Sequence, residues 1–311
     1  MPLQRHAMTI DRRRSTWIAG GFLGLVVLLA IVSLPWTLGA AHGGSERWFE
    51  AVAPEKALQP PSLDTPGLWL GTDRLGRSVT ARILLGGGIS LVVGLAAAST
   101  SLILGTAWGL GAALSGGRID AIMMRIVDVL YGLPSVLLVV LLAFAMDGLR
   151  ERTSFASGGG ARLLLDLATL WIAIGAVSWL TLARVVRGQV LSLREQPFIE
   201  SARLVGVPTG RLVRKYYLPW LVGPVVACTA LIVPMAMLSE AFLSFLGIGV
   251  QEPLPSWGNM AADALSELNP VHSRWWLLLW PCALIAATLV SLTVLGESIR
   301  VAVDPRQREA A

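Results

Sequence analysis

The chain has 311 residues, of which 54% are hydrophobic and 14% charged, with a mean hydropathy of +0.66. A soluble domain cannot hide that much apolar surface, so the composition calls for an integral membrane protein. The net charge of +5 would suit a nucleic-acid binder, but the positions of the arginines argue against that class.

Residues 1–16 form a polar tail carrying Arg5, Arg12, Arg13 and Arg14. No Asp, Glu, Lys or Arg occurs from Ser15 to Ser45, and Trp17 and Trp36 bracket an apolar core suited to the two interfaces. This predicts a first span over about 17–38. A cleaved signal peptide ending near Leu38-Gly39-Ala40-Ala41 is the alternative, but the apolar region is long for one. An outer segment follows over about 41–87. Pro54, Pro60, Pro61 and Pro66 exclude a long helix through its first part.

The second part of that segment contains Gly71, Thr72, Asp73, Gly76 and Arg77. It resembles the G-T-D-x-x-G-R-D stretch of the dipeptide/oligopeptide/nickel branch of bacterial ABC-importer permeases, with Ser78 in place of the last Asp. A plain reading is an interfacial turn in which Asp73, Arg74 and Arg77 satisfy one another. A role at a substrate gate is the other.

Ile83 to Gly117 is free of charge and has no turn cluster, so it predicts one tilted span with an extension. Its Gly105-x-x-x-Gly109 is a common helix-packing pattern. Arg118, Asp120, Arg125 and Asp128 fall on a short helical stretch in which Arg125 and Asp128 can pair at i, i+3. Gly132-Leu133-Pro134 then kinks into a third span ending at Asp147, and residues 148–161 read as a flexible inserted loop. Asp166 and Arg184 bracket a fourth span.

Between the fourth and fifth spans lies a polar, basic loop over about 186–218. Pro197 suits the first position of a short helix, and Glu200 falls near that helix's positive end. After Gly206, Leu212, Val213, Tyr216 and Tyr217 share one face, and Arg211, Arg214 and Lys215 take the other. The loop therefore reads as helix, glycine turn, amphipathic helix. Glu200, Ser201, Ala202, Gly206, Leu218 and Pro219 resemble the E-A-A…G…L-P signature of the same permeases, with Ser201 in place of the first Ala and Tyr216 where Ile is usual. A DNA-binding helix-turn-helix is the competing reading of this loop. The fifth span runs on towards Glu240. Ser239 to Ala264 is similar to another segment of the branch, as is Leu295 to Arg306 after the sixth span, Trp275 to Gly296.

Six spans place both termini on one side. If that side is the cytoplasm, it holds sixteen of the Lys and Arg residues and the other side nine. That is the bias of the positive-inside rule, and it accounts for the net charge without nucleic acid, since no separate basic domain exists. The chain's two lysines, Lys56 and Lys215, follow Glu and Arg, so there is no Gly-Lys pair and no phosphate-cradling loop. Cys228 and Cys282 lie in apolar runs, and His6, His42 and His272 are far apart, so neither a disulfide framework nor a metal-ligand spacing is present. Asp166 and Glu240, near span ends, are candidates for a transport pathway. Interfacial or helix-bonding roles are the simpler alternative.

The expected fold is all-α, an integral membrane protein of six transmembrane helices with a cytoplasmic helix-turn-helix coupling loop. Residues 1–16 form the inner tail, 17–298 the permease domain and 299–311 the second inner tail. The resemblance implies a C-type permease subunit in a prokaryotic inner membrane. Its partners would be a second homologous permease, two cytoplasmic ATPase subunits, an extracytoplasmic solute-binding protein and membrane lipid. It implies no cofactor, metal or catalytic residue in this chain, with ATP and Mg held by the ATPases. An ion-gradient carrier or channel that needs no ATPase is the rival class. It would need carboxylates near mid-membrane, where the spans carry no charge.

Overall fold

A computed structural model describes residues 2–39, 47–64, 68–153, 159–268 and 273–303. Among these, ten α-helices account for nearly all regular structure: α1 Pro2–Thr37, α2 Val79–Ser115, α3 Gly117–Tyr131, α4 Ser135–Thr153, α5 Gly159–Arg194, α6 Pro197–Leu204, α7 Thr209–Leu212, α8 Leu218–Phe245, α9 Trp257–Ser266 and α10 Trp275–Val303. The protein is an all-α integral membrane protein. Five helical stretches are long and apolar enough to cross a bilayer: Arg14–Thr37, Val79–Ser115, Leu167–Arg194, Thr209–Phe245 and Trp275–Ala302. A sixth crossing is counted if α3 and the first part of α4, bent by 95° at Gly132-Leu133-Pro134, act together.

The central pair is α2 with α5, and glycine sets its closeness. A Cβ at Gly109 would stand 2.4 Å from the Ala183 carbonyl oxygen, and one at Gly105 would stand 2.8 Å from the Leu182 Cβ. Across the seam, a Cβ on Gly175 would lie 2.9 Å from Thr100. The Gly105-x-x-x-Gly109 pattern is thus a packing seam, as dispersion-driven association of helices in lipid requires. Helix α8 packs on α2, α5 and α10, and α1 rides on α2 and α10, where the Thr16 and Ser298 hydroxyls are hydrogen-bonded at 2.7 Å.

Two expectations are corrected here. The apolar part of α4 ends at Met146, beside the expected end of the third span at Asp147, but the helix itself continues to Thr153, and α5 begins at Gly159, where a loop was expected. Of the stretch 148–161 read as a loop, only 154–158 lies outside the described residues. Glycines at 159 and 160 weaken a helix but do not forbid one that continues into an apolar run. Nor does Asp128 pair with Arg125. Its carboxylate accepts from Arg184 on α5 at 2.9 Å, and Arg184 also lies 3.9 Å over the Tyr131 ring. Asp120 accepts two hydrogen bonds from Arg187, both 2.6 Å. For Asp128, a charge-assisted hydrogen bond from a facing helix, whose cation is also held over the Tyr131 ring, replaces an i, i+3 pair worth only about 0.2–0.5 kcal/mol.

Candidate functional site: the helical loop, the outer ion network and the bundle cavity

The polar loop between α5 and α8 is built from local rules. Pro197 opens α6, where its missing N–H costs nothing, and Glu200 lies in the first turn. At the other end Gly206 has φ +82°, its N–H donates to Arg203 O at 2.9 Å, and Val207 N–H donates to Ala202 O at 3.1 Å. These are the two bonds of a Schellman cap, with Gly206 at the left-handed position. The hydrophobic contact that accompanies such caps is present, since Ala202 and Val207 both pack against the same apolar cluster. Ser201 donates its hydroxyl to Pro197 O at 2.8 Å, so the change from Ala keeps the helix bonded to itself.

After the turn the two faces expected of 211–217 are seen. Leu212 and Tyr217 are buried, Val213 and Tyr216 half-buried, and Arg211, Arg214 and Lys215 exposed. Residues 213–217 form one π turn that joins α7 to α8 without a break. Pro219 clashes with an i−4 carbonyl in a regular helix, and the wider turn just before it relieves the crowding. Arg203 adds a tie that sequence reasoning did not find: its guanidinium donates to the Tyr217 hydroxyl at 2.9 Å, across the glycine turn. At the tip, Leu204 and Val205 are 83% and 85% exposed. A Cβ at Gly206 would meet nothing within 4 Å, so only backbone conformation demands glycine there in this chain.

The residues of the outer segment form a different object. Gly71 and Gly76 have φ +86° and +75°, and a Cβ at Gly76 would run into the Ala53 carbonyl at 1.9 Å. Thr72 is buried. Its hydroxyl donates to Lys56 O at 2.6 Å and accepts from Gln59 N–H at 2.9 Å. The Asp73 carboxylate accepts from the N–H groups of Leu75 and Arg77, each 2.9 Å, and from Arg77 Nε at 2.6 Å. Arg77 then reaches Glu252, 3.0 Å away in the α8–α9 connection. The third member of the cluster is therefore Glu252 rather than Arg74. Burial opposes the Arg77 charge, but Asp73 and Glu252 outweigh it and hold the guanidinium above its ordinary value. Arg82 lies behind, with Asp73, Glu252 and Asp263 at 3.8–4.0 Å. Ser78 accepts from Ala81 N–H at 3.4 Å as N-cap of α2, a task open to Asp or Ser.

The α9 end is clamped to the same body. Trp257 is buried, donates to Ile83 O at 3.0 Å, and fills the space where Gly87 has no side chain. Ser256 and Asn259 make a capping box at the start of α9. Glu240 is fully buried beneath this cap. It accepts from the Ser244 hydroxyl at 2.8 Å, with the Ser90 and Ser256 hydroxyls beside it, and Ser244 in turn accepts from Val250 N–H at 3.0 Å. It is bonded among helices rather than placed at the interface.

A cavity of about 780 Å³ opens between α3–α4, α5, α8 and α10. Its walls are mainly Leu, Val and Ile, with hydroxyls from Ser135, Ser178, Thr181, Ser239 and Thr293 and no acid or base among the described lining residues. Ser239 faces it. Glu240, one residue and about 100° further round the helix, does not. The Asp166 side chain lies outside the described residues, so its candidacy has no geometry attached. No group of three or more His, Cys, Asp or Glu able to hold a metal occurs among the described residues.

The helical loop, the ion network around Asp73 and Arg77 and the uncharged cavity all belong to one bundle of spans. The family described as the inner membrane component of binding-protein-dependent transport systems matches residues 81–309. The chain belongs to that family. It is 41% identical over 249 residues to the dipeptide transport system permease protein DppC of Bacillus subtilis, covering 80% of this chain and 71% of that one. To the oligopeptide transport system permease protein OppC of the same organism it is 39% identical over 253 residues, 81% and 75% of the two chains. To the OppC of Escherichia coli K12 it is 41% identical over 244 residues, 78% and 74%. This member of the inner-membrane-component family is thus a multi-pass transport subunit and not an enzyme.

Proposed function

We propose that the chain is the C-type permease subunit of an ATP-driven ABC importer for peptides or related small solutes. It pairs with a second, homologous permease, and of the two ATPase subunits that serve the pair one docks at the loop over 186–218. A solute-binding protein delivers substrate to the face that carries Asp73 and Arg77. The 780 Å³ cavity is this chain's share of the path, and alternating access opens it to one side at a time. ATP and Mg belong to the partner subunits. The observation that carries the reading is the Schellman-capped turn at Gly206, which presents Leu204 and Val205 at 83% and 85% exposure. Exposed aliphatic side chains on an ordered, hydrogen-bonded turn support a protein contact better than a solvated loop. Peptide as the substrate class is supported by the names of the relatives. The cavity's hydroxyls offer hydrogen bonds without fixing a charge.

The test is uptake by the reconstituted complex. ATP-dependent uptake with a co-purifying nucleotide-binding subunit is the expected result. Uptake driven by an ion gradient without nucleotide would assign the chain to the carrier class. Orientation is tested in a version lacking Cys228 and Cys282. A cysteine at Gly210 should react with a membrane-impermeant thiol reagent only in opened cells, and one at Ala156 in intact cells. The opposite pattern would invert the topology and remove the loop from the ATPase side.

A further inference from the structure

The base of the helical loop is chemically unlike its tip. Phe198 stacks on Trp220, with ring centroids 5.9 Å apart and planes 27° from parallel. Tyr216 lies 6.2 Å from Phe198, and Lys215 Nζ stands 5.6 Å over the Tyr216 ring. Trp220 is 59% exposed in the first turn of α8, and Leu218 and Val222 are exposed on the opposite flank of the same helix. Arg211 and Arg214, like Lys215, are exposed on the same element.

Amphipathic rings at the head of an apolar span, with cations just beyond them, are the residue types of a membrane–water boundary. The dimensions agree. Lys215 precedes Trp220 by five residues, about 7.5 Å of helix rise at ~1.5 Å per residue. The headgroup layer on one side of a bilayer is about 5–8 Å deep. A ring at the hydrocarbon edge therefore sets the Lys215 ammonium at phosphate depth. The tip, by contrast, carries Leu204 and Val205 next to a glycine turn, where a protein surface and not hydrocarbon must cover them. A water-borne subunit seated on Trp220 would have to displace acyl chains from an apolar run that continues directly into a span.

We infer that Phe198, Tyr216 and Trp220, with Lys215 above them, form a headgroup site for one anionic phospholipid. Arg211 and Arg214 add to the attraction, and the acyl chains continue along the apolar helix below Trp220. The occupant is a lipid rather than a free phosphate, because the rings open directly onto an apolar span. This reading needs only that the loop lies at a membrane surface. It stands apart from ATPase docking.

The experiment places the whole chain in phosphatidylcholine nanodiscs, with and without phosphatidylglycerol, and counts retained lipid by native mass spectrometry. Phosphatidylglycerol should be retained in preference to phosphatidylcholine. Lys215→Gln should lower that retention about fivefold, the effect of one cation near an anionic surface. Trp220→Ala should lower it too, although it changes no charge. Arg118→Gln, which removes an exposed cation from α3, should retain the wild-type amount. Inorganic phosphate added in solution should not displace the lipid. Full retention in both Lys215→Gln and Trp220→Ala overturns the site, as does an equal loss in Arg118→Gln, which would mean general charge attraction. No ATPase is present in this assay, so its failure leaves the coupling proposal intact, and failure of coupling leaves the lipid site intact.

Discussion

The two polar regions of this protein use the same residue types in opposite ways. Around Asp73, both Arg77 and Arg82 are buried. Arg77 is paired with Asp73 and Glu252 of the same chain, whereas Arg82 has Asp73, Glu252 and Asp263 only at 3.8–4.0 Å and its terminal nitrogens lack a hydrogen-bond partner among the described residues. In the α6–α8 loop, Arg211, Arg214 and Lys215 are exposed, and the backbone cap at Gly206 holds the shape with the help of the Arg203–Tyr217 hydrogen bond. Glycine follows the same division. A Cβ at Gly76 would strike the chain itself at 1.9 Å, whereas one at Gly206 would meet nothing. The network around Asp73 is a structural joint within the chain. The α6–α8 loop is a presented surface, stiffened by its own turn and left for something else to touch.

The strongest way to break that contrast is to open the joint. Arg77→Gln removes the ion pair of the half-buried Asp73 carboxylate, which keeps two backbone N–H donors and the more distant Arg82, so the loss should lie near the low end, about 3 kcal/mol, of that for breaking a buried pair. Membrane levels and thermal stability by fluorescence-detected gel filtration should fall sharply. The double change Asp73→Asn with Arg77→Gln should recover part of the loss. If Arg77→Gln is as stable as the parent, the joint is not structural.

Next comes the turn at Gly206. Because φ is +82° and the surroundings are open, the penalty belongs to any side chain's Cβ and not to bulk. Gly206→Ala should strain the turn at the low end of about 1–3 kcal/mol and the β-branched Gly206→Val at the high end, both through the backbone. Gly206→Asn should be the mildest, since Asn tolerates the left-handed region. The readouts are ATPase retention and coupled uptake at normal membrane levels. Gly206→Asn as damaging as Gly206→Val would mean that a contact, and not the backbone, selects glycine.

A smaller effect is expected for Tyr217→Phe. It removes the acceptor of the Arg203 hydrogen bond, worth about 1 kcal/mol, while the exposed Arg203 regains water. Coupled uptake should drop a fewfold with no change in thermal stability of the bundle. Loss of the whole chain from the membrane would show that Tyr217 serves the core alone. The smallest effect belongs to Arg300→Gln. Its pair with Glu297, 3.4 Å long, is exposed on both sides, so stability should change by less than about 0.5 kcal/mol. A larger loss would remove the distinction between buried and exposed pairs on which the series rests.

Much of this was readable from the chain because it is local. Charge-free runs mark the spans, Pro197 and Gly206 bound the first loop helix, and the 3.6-residue period separates Leu212 and Tyr217 from Arg211 and Lys215. What escaped depends on residues far apart in sequence. Arg77 and Glu252 are 175 positions apart, so the turn at Asp73 could be suspected but its third partner could not be named. The Arg125–Asp128 pair was plausible by spacing alone, and α5 took Asp128 away. The helical flanks of 154–158 were hidden because glycine and serine content says loop unless a neighbouring span extends its helix through them. Glu240 was visible as a carboxylate near a span end, but only packing reveals that it turns away from the cavity towards Ser90, Ser244 and Ser256.

Helix α2 has 37 residues, a rod of about 55 Å against a hydrocarbon core of about 30 Å. One end carries Arg82 in the outer cluster. Near the other, the Ala113 carbonyl accepts from Arg194, the last residue of α5 before the loop. The glycine seam leaves no slack between α2 and α5 along the way. A hydrogen-bonded rod cannot shorten, so a push at the loop cannot be absorbed within the bilayer. It has to emerge at the far surface as a tilt, and the two faces of the membrane are joined through this pair as the ends of a beam are.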